Sequence, residues 1–336
     1  MANDHMTKIF KDKTILITGG TGSFGKGFVR FLLDNAKPRK IIIFSRDELK
    51  QFQMQQELRG YEKTLRFFLG DVRDLARLQR AFHKVDIVIH AAALKQVPAL
   101  EFNPFEAIQT NILGSQNVIN AAIDQAVSKV LLISTDKAAE PINLYGATKM
   151  CAEKVFVASN AYAPGKCILS AVRYGNVLGS RGSIVETLLN SKEGPVHITH
   201  EEMTRFWLTL DSTYQLVLFA LNNMVGGEIF VPKVPSMRLV DLFKALVPGR
   251  ELKIVGIRPG EKLHETLVTE EEAIRGYDLG KYFVILPNVN FGHYNLSGFN
   301  KYKKGKKLEH GFRFKSDTNG EWLDHKDIKR LLKIAK

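Results

Sequence analysis

Short apolar runs alternate with amphipathic stretches through the first half of the chain. The runs are rich in β-branched residues and predict strands at Thr14–Ile17, Lys40–Phe44, Leu65–Leu69, Asp86–His90, Lys129–Ser134 and Ile168–Tyr174. Between them, apolar residues spaced by three and four predict helices at Phe24–Leu33, Phe105–Ile123 and Tyr145–Ser159. This alternation is typical of an α/β fold, a Rossmann-type doubly wound sheet of parallel strands.

Beyond Gly175 the pattern becomes irregular, with clusters of glycine, proline and arginine. A helix is predicted at Leu210–Asn222 and a strand at Glu228–Val231, so the chain is expected to return once to the large domain. We therefore predict a Rossmann domain over residues 1–175 with a return segment at 210–235. Residues 176–209 and 236–336 are predicted to form a smaller C-terminal substrate lobe over the carboxyl edge of the sheet.

Composition excludes several classes of protein. With 336 residues, 45% hydrophobic and 25% charged, the chain is typical of an ordinary globular protein. Its two cysteines cannot form a disulfide framework and are expected to be buried thiols in a reducing compartment. No run approaches the roughly 20 apolar residues of a membrane span, and Met1–Lys13 is polar, so a cytoplasmic protein without a membrane partner is expected.

The net charge of +13 is unevenly distributed. Residues 301–336 hold twelve Lys and Arg against five Asp and Glu, so 12 − 5 = +7 of the excess lies there. Such a run is typical of a solvated surface, and no nucleic-acid partner is predicted. An anionic small substrate would also be attracted by positive potential, so charge alone does not discriminate. None of the nine histidines is assigned to a metal site.

A glycine-rich turn follows the first predicted strand directly and precedes an apolar helix. Gly19, Gly22 and Gly25 recur at three-residue spacing, which lets backbone N–H groups and a helix N-terminus approach a pyrophosphate. The strand–turn–helix context makes this a nucleotide site rather than an ordinary tight turn. The predicted cofactor-binding residues here are Gly19, Thr21, Gly22, Ser23, Phe24 and Gly25.

The end of the second strand bears on the choice of cofactor. Ser45 and Arg46 stand where an acidic residue would favour NAD, and a guanidinium can hold a 2′-phosphate with two hydrogen bonds. NADP is therefore predicted, although Asp47 follows at once. Later strand ends place further residues against the adenine and the middle of the cofactor, where a helix cap and simple packing are the alternatives. These residues are Asp71, Val72, Ala91, Ala92 and Ala93.

Tyr145 and Lys149 stand four apart at the start of a predicted helix and so share one face. A lysine ammonium beside a phenol favours the phenolate, a base that can take a hydroxyl proton while hydride leaves the same carbon. Tyr145 and Lys149 are predicted to be catalytic and to contact the cofactor. The spacing alone occurs in many helices, but its place after a glycine-rich turn and the fifth strand makes it specific.

The fifth strand ends at Thr135, Asp136 and Lys137, at the edge where open α/β sheets bind ligands. Asp136 and Lys137 offer an acid and a base beyond those that a simple dehydrogenase or epimerase needs. The alternative is a surface salt bridge or a helix cap. Together with the neighbouring motifs, the pair is predicted to be catalytic.

With these motifs the chain resembles the extended short-chain dehydrogenases/reductases, and more closely the inverting UDP-N-acetylglucosamine 4,6-dehydratases that begin pseudaminic acid synthesis. The resemblance runs from about Lys13 to the C-terminus. Lys137 matches the inverting group, whereas retaining dehydratases typically have Asp-Glu at the last two positions of that motif. The segments that carry the resemblance are Ile17–Lys26, Phe44–Lys50, Gly70–Asp74, His90–Pro98, Ser134–Lys149, Arg173–Ser183, Met203–Trp207, Gly226–Met237 and Ile257–Glu265.

The resemblance implies a reaction in which Tyr145 deprotonates the carbon-4 hydroxyl during oxidation by NADP. Lys137 then removes the carbon-5 proton, and Asp136 protonates the departing carbon-6 hydroxyl. Hydride returns to carbon 6, and reprotonation of carbon 5 from the opposite face inverts it to a 4-keto-6-deoxy-L-arabino product. For Lys137 to act as a base its pKa must fall, and we expect a desolvated, positively charged site to lower it.

The predicted substrate is UDP-N-acetylglucosamine. Arg258 is the preferred diphosphate ligand because its fork can bind two oxygens at once, whereas Glu261 could meet a ribose or pair with a cation. The resemblance places Asn176 near the diphosphate and implies a homo-oligomer, for which a hexamer is the candidate form. The residues predicted to bind substrate are Lys95, Thr135, Asn176, Arg181, Arg205, Arg258 and Glu261. A UDP-sugar 4-epimerase, a retaining dehydratase and a redox-sensing binding protein remain the alternatives.

Overall fold

The computed structural model describes residues 5–180, 184–190, 194–288 and 296–334. Six strands in the first half of the chain are all parallel and follow the order β3-β2-β1-β4-β5-β6, where β1 is Thr14–Thr18, β2 Lys40–Ser45, β3 Leu65–Leu69, β4 Ile87–His90, β5 Lys129–Thr135 and β6 Ile168–Tyr174. The order reverses beside β1, which confirms the predicted doubly wound α/β class. In such sheets the carboxyl edge at the reversal is where ligands bind.

Helices connect these strands on both faces of the sheet. They are α1 (Ser23–Asn35), α2 (Glu48–Glu57), α3 (Leu75–Ala81), α4 (Val97–Phe102), α5 (Pro104–Ala107), α6 (Gly114–Asp124) and α7 (Leu144–Ala158). Short 3₁₀ turns lie at Thr7–Phe10, Asp136–Ala138 and Ser159–Ala161. Within the described ranges, no helix combines the length and the apolar composition that crossing a membrane requires.

The prediction of one continuous α-helix at Phe105–Ile123 is wrong in one respect. A π-helical turn over Ile108–Leu113 interrupts the helix between α5 and α6. Asn111 in this turn bonds to both backbone groups of Leu94, accepting from the N–H at 2.8 Å and donating to the carbonyl at 2.9 Å. It also donates to the Thr148 hydroxyl at 3.0 Å. The wider turn thus ties the loop after β4 to α7, and π-turns of this kind often lie near functional sites.

The second half of the chain supplies both lobes. Its elements are β7 (Asn176–Val177), α8 (Ile184–Asn190), β8 (Val196–Ile198), β9 (Thr204–Leu208), α9 (Leu210–Asn223), β10 (Ile229–Pro232), β11 (Ser236–Arg238), α10 (Leu239–Leu246), β12 (Leu252–Ile254), β13 (Thr266–Val268), α11 (Glu270–Ala273), β14 (Gly276–Asp278), β15 (Tyr282–Ile285), a 3₁₀ segment at Leu296–Lys304, β16 (Lys306–Lys307), β17 (Phe314–Lys315) and α12 (His325–Ile334). The return segment joins the main sheet, since β10 pairs in parallel with β6.

The boundary predicted at residue 236 needs correction. β15, β14 and β16 extend the large sheet beyond β10 in antiparallel fashion, so the part of the chain that the structure describes forms a sheet of ten strands. The Phe283, Val284 and Ile285 side chains of β15 are buried in the main core, which is the physical reason that this stretch leaves the smaller lobe. A second core, which includes Leu178, Met203, Trp207 and Phe243, defines that lobe.

One buried ion-pair cluster joins the two halves of the chain. Arg173 of β6 donates to Glu153 of α7 at 2.6 Å, to Glu272 of α11 at 2.7 Å and to the Leu267 carbonyl at 3.1 Å. We expect Arg173→Ala to lower the free energy of unfolding by about 3–5 kcal/mol, because two buried carboxylates lose their partner. Urea unfolding followed by circular dichroism measures this.

Arg313→Ala is the matched control for Arg173→Ala. Arg313 pairs with Glu140 at the surface, where both side chains are about two-fifths exposed. Water screens such a pair, so its loss should cost about 1 kcal/mol or less. Equal losses in the two variants would contradict the structural role given to Arg173.

Candidate active site

One large cavity of about 790 Å³ lies at the carboxyl edge of the sheet, between the two lobes. It is lined by the predicted residues Gly19, Thr21, Gly22, Ser23, Phe24, Gly25, Ser45, Arg46, Asp71, Val72, Ala91, Ala92, Ala93, Lys95, Thr135, Lys137, Tyr145, Lys149, Asn176, Arg205, Arg258 and Glu261. Asp136 is buried beneath Thr135 and Lys137 rather than at the cavity surface. Arg181 lies outside the described residues. The roles of all these residues stay predictions, but the fold gathers those that the structure describes in one place.

The glycine turn after β1 forms a closely packed cradle. Gly19 has a φ of 65°, and a Cβ there would lie 2.8 Å from the Ala92 nitrogen. A Cβ on Gly25 would lie 2.6 Å from the Gly20 Cα, so only glycine lets α1 approach β1 this closely. Gly22 is the N-cap of α1 and has no side chain to cap it. This helix N-terminus lines the cavity, which fits the diphosphate of a dinucleotide.

Charged groups surround the cavity at the end of β2. The Arg46 side chain is half exposed, and its Nη1 lies 3.5 Å from Asp71 Oδ2. Partial burial opposes ionisation of Asp71, but hydrogen bonds from Arg73 outweigh it and lower the pKa of Asp71. Asp47, the residue that left room for NAD, caps α2 by accepting from the Lys50 N–H at 2.9 Å.

The start of α7 is packed against the turn that follows β5. Asn143 caps the helix by accepting from the Gly146 N–H at 2.8 Å, and its own amide donates to the Gly260 carbonyl at 2.7 Å. Any side chain at Gly146 would collide with the Lys137 carbonyl oxygen. Glycine at this position therefore lets Tyr145 stand directly beside the Thr135–Lys137 turn.

Tyr145 and Lys149 differ from the expectation in their ionisation. Burial raises the pKa of Tyr145 to about 12, and the neighbouring Asp136 adds to the shift against the opposing effect of Lys137. Burial also lowers the pKa of Lys149 to about 8, and its ammonium donates to the Ile133 carbonyl at 2.8 Å. The resting form of Tyr145 is therefore the phenol and not the predicted phenolate, because burial raises its pKa by more than Lys137 lowers it.

The turn after β5 holds an ion pair rather than a free base. Lys137 Nζ lies 3.0 Å from Asp136 Oδ1, which also accepts from the Thr135 hydroxyl at 2.9 Å. Burial raises the pKa of Asp136 despite the attraction of Lys137. The expectation that the pKa of Lys137 falls is wrong: burial does oppose its charge, but the carboxylates of Asp136 and Glu265 outweigh burial and raise it. Lys137 is therefore an ammonium at rest.

The two arginines expected to bind a sugar nucleotide, Arg205 and Arg258, differ in their exposure and in their hydrogen bonds to the protein. Arg205 is buried, with its guanidinium donating to the backbone carbonyls of Thr204 at 2.7 Å and Leu263 at 3.1 Å. Arg258 is exposed at the cavity wall, and its N–H donates to Glu261 Oε2 at 3.4 Å. Arg258 is accordingly better placed than Arg205 to bind a diphosphate.

A family comparison adds to this geometry. The polysaccharide biosynthesis protein family matches residues 15–287, which include the glycine turn, the Thr135–Lys137 turn and α7. The chain belongs to this family. Among the residues that the structure describes, no group of three or more His, Cys, Asp and Glu side chains could hold a metal ion.

Two relatives that are similar to this chain over most of its length are enzymes that act on sugar nucleotides. The chain is 46% identical over 332 residues to an inverting UDP-N-acetylglucosamine 4,6-dehydratase of Campylobacter jejuni, covering 96% of this chain and 98% of the relative. It is 44% identical over 306 residues to a UDP-glucose 4-epimerase of Rickettsia felis, covering 87% and 89%. The crystal structure of Pen from Bacillus thuringiensis is 34% identical, with a TM-score of 0.86 over 97% of this chain and 99% of the other.

Sequence reasoning missed one member of this family site. Glu265 is almost fully buried and lies 3.2 Å from Lys137 Nζ, although it belongs to a loop far along the chain. Its only sequence signal is its place at the end of the Ile257–Glu265 segment. The positions of Trp207 and Leu239 in the cavity wall were not predicted either.

Proposed function

We propose that this protein is an inverting UDP-N-acetylglucosamine 4,6-dehydratase that uses NADP. The observation that carries the proposal is the Lys137–Asp136 pair beside Tyr145 and Lys149 at the sheet edge, a second acid/base pair next to an oxidation site. The similarity to the Campylobacter enzyme over nearly the whole of both chains supports the same reaction.

The glycine cradle fits a dinucleotide, because it brings the N-terminus of α1 close to the end of β1. A Cβ on Gly19 or Gly25 would collide with the neighbouring protein backbone and prevent this close approach. A nicotinamide dinucleotide held in this cradle would supply the hydride acceptor for oxidation at carbon 4 and the hydride donor for carbon 6. Tyr145 lines the cavity, and as the phenolate, formed when the phenol releases its own proton to water, it takes the carbon-4 hydroxyl proton. Lys149 is buried beneath the same helical face, where its ammonium favours the phenolate over the phenol.

Elimination of water needs Lys137 as an amine and Asp136 as an acid. Transfer of one proton across the 3.0 Å contact converts the resting ion pair into this form without net change of charge. The amine then takes the carbon-5 proton, and the acid protonates the departing carbon-6 hydroxyl, which restores the ion pair. The Thr135 hydroxyl lines the cavity and donates to Asp136, so it is the group through which the acid's proton can pass. A proton from solvent then adds to carbon 5 from the opposite face and inverts it.

The similarity to a 4-epimerase at 44% identity makes epimerisation at carbon 4 the second candidate. That reaction uses Tyr145 and Lys149 and has no need of the Lys137–Asp136 pair. Nuclear magnetic resonance of the first product from UDP-N-acetylglucosamine tests the proposal, because only dehydration gives a 6-deoxy-4-keto sugar. The protein should also work as a homo-oligomer in the cytoplasm and supply a precursor of pseudaminic acid or a related surface sugar, as the family resemblance implies.

The preference for NADP should depend on Arg46. This side chain lines the cavity at the end of β2, and Asp47 is occupied as a helix cap, which favours a 2′-phosphate over a free ribose hydroxyl. Arg46→Ala should narrow the ratio of NADP to NAD affinity by about 10-fold or more, since a hydrogen bond to a charged group contributes about 1.5–3 kcal/mol. Calorimetry on protein stripped of cofactor measures both affinities.

Arg59→Ala is the control for the cofactor measurement, because Arg59 is an exposed arginine outside the cavity wall. It should leave the affinity ratio unchanged. Equal affinity of the unmutated protein for NADP and NAD would reject the NADP assignment.

A further inference from the structure

Glu265 stands immediately before β13 and is held in place from both sides. Its N–H donates to the Ser316 hydroxyl at 2.9 Å, and its carbonyl accepts from the Ser316 N–H at 2.9 Å. The next residue, Thr266, pairs with Lys315 of β17. This two-stranded contact fixes the backbone, and the Glu265 side chain is directed at Lys137, beneath the cavity surface.

The Glu265 carboxylate is almost fully buried among three cations. Oε1 lies 3.2 Å from Lys137 Nζ and 3.7 Å from Arg205 Nε, and Oε2 lies 3.7 Å from Lys262 Nζ. Among the described residues, Oε2 has no hydrogen-bond partner. Burying a carboxylate without full hydrogen bonding is costly, so a charge retained here needs a reason.

The charges around Glu265 keep it ionised. Burial opposes its charge, but Lys137, Arg205 and Lys262 outweigh burial and lower the pKa of Glu265. Its negative charge in turn raises the pKa of both Asp136 and Lys137. Glu265 therefore acts on both members of the pair that elimination uses. Further out, Tyr145 faces the same turn, and Glu140 faces Lys262 and accepts from the Thr266 hydroxyl at 2.9 Å.

We infer that Glu265 is a positioning residue that holds Lys137 between two carboxylates and keeps one proton shared within the Lys137–Asp136 pair during turnover. The inference rests on the proposed function. Glu265 itself neither gains nor loses a proton in this scheme. Its fixed charge favours the protonated form of Asp136, which is the form that must donate to the leaving hydroxyl, and keeps the Lys137 nitrogen in place after the proton has moved.

The scheme predicts a particular pH dependence for Glu265→Gln. The pair is active only while its two members together hold one proton. Activity therefore falls at low pH, where Lys137 and Asp136 are both protonated, and at high pH, where both are deprotonated. Removing the Glu265 charge lowers the pKa of each member, because a charge within about 4–6 Å shifts a pKa by about 1–3. The whole range of activity should therefore move to lower pH.

The test compares kcat of Glu265→Gln with that of the unmutated protein across the pH range from about 6 to about 9, where most enzymes can be assayed. We expect Glu265→Gln to lower kcat by about 10-fold or more near neutral pH with little change in KM. The ratio of the variant's kcat to that of the unmutated protein should rise as the pH falls. Any effect of Lys149 ionisation is common to both proteins and cancels in the ratio.

Two further variants separate this role from a purely structural one. Glu265→Asp keeps the charge, so its kcat ratio to the unmutated protein should not change with pH even if its activity is lower. Glu272→Gln removes another buried carboxylate, which pairs with Arg173 away from the cavity, and should likewise give a ratio that does not change with pH. Both variants also report whether loss of stability alone lowers activity.

A pH-independent ratio for Glu265→Gln, with the 6-deoxy-4-keto product still formed, would reject the role of Glu265 and leave the proposed function standing. Failure of the unmutated protein to form that product at all would reject the proposed function and the inference with it. If Glu265→Gln does not fold, a pH-dependent ratio for Glu265→Asp would overturn the inference, and a constant ratio would support it.

Discussion

Replacing Tyr145 by phenylalanine should lower kcat by about 10²–10⁴ and leave substrate affinity nearly unchanged. The phenol lines the cavity beside the Thr135–Lys137 turn and is the group that we propose takes the carbon-4 hydroxyl proton. Phenylalanine keeps the ring and its packing but cannot accept a proton. Steady-state kinetics together with calorimetric binding of UDP-N-acetylglucosamine measure the two effects separately.

Tyr162→Phe is the matched control, because Tyr162 is an exposed tyrosine just beyond the end of α7, with about two-thirds of its surface accessible. Its activity should equal that of the unmutated protein. If Tyr145→Phe turns over at a rate close to normal, another residue starts the reaction and the assignment of Tyr145 is wrong.

Replacing Lys137 by alanine should stop the loss of water, with a fall in product formation of about 10²–10⁴. Tyr145 and Lys149 remain in place, so oxidation at carbon 4 should continue and leave a 4-keto sugar that still carries its carbon-6 hydroxyl. The variant also leaves the Asp136 and Glu265 carboxylates without the ammonium that now lies between them. Mass spectrometry of quenched single-turnover mixtures distinguishes the two products, because the dehydrated sugar is lighter than the 4-keto sugar by one oxygen atom.

Lys154→Ala provides the control for the Lys137 variant, because Lys154 is an exposed lysine of α7. It should form the dehydrated product at the normal rate. Dehydration by Lys137→Ala at close to that rate would show that another base removes the carbon-5 proton.

Local patterns were sufficient to predict the first half of the fold. A parallel strand buried on both faces is a short apolar run, and each is followed by a helix with one apolar face, so periodicity identifies both. The glycine turn and the Tyr145–Lys149 pair could be predicted for the same reason, since each motif spans only a few neighbouring residues. The π-turn at Ile108–Leu113 could not be found this way, because apolar spacings of three and four do not show where a helix widens for a single turn.

Long-range pairing explains what sequence reasoning missed. β14, β15 and β16 add to the edge of the large sheet although nearly the whole second lobe precedes them in the chain. The ionisation of Lys137 was predicted in the wrong direction because Glu265, from a distant loop, completes its surroundings. Two carboxylates at hydrogen-bonding distance outweigh the burial that the sequence could suggest.

Inversion at carbon 5 coupled to loss of water can be followed in a single isotopic experiment. The protein is incubated in deuterated water with UDP-N-acetylglucosamine deuterated at carbon 4, and the product is followed by nuclear magnetic resonance from the earliest times, before the acidic carbon-5 proton of a 4-keto sugar exchanges. We expect a 4-keto-6-deoxy-L-arabino product with solvent deuterium at carbon 5 and the carbon-4 label at carbon 6. A first product that retains the D-configuration at carbon 5 would contradict inversion, and UDP-N-acetylgalactosamine would identify the epimerase instead.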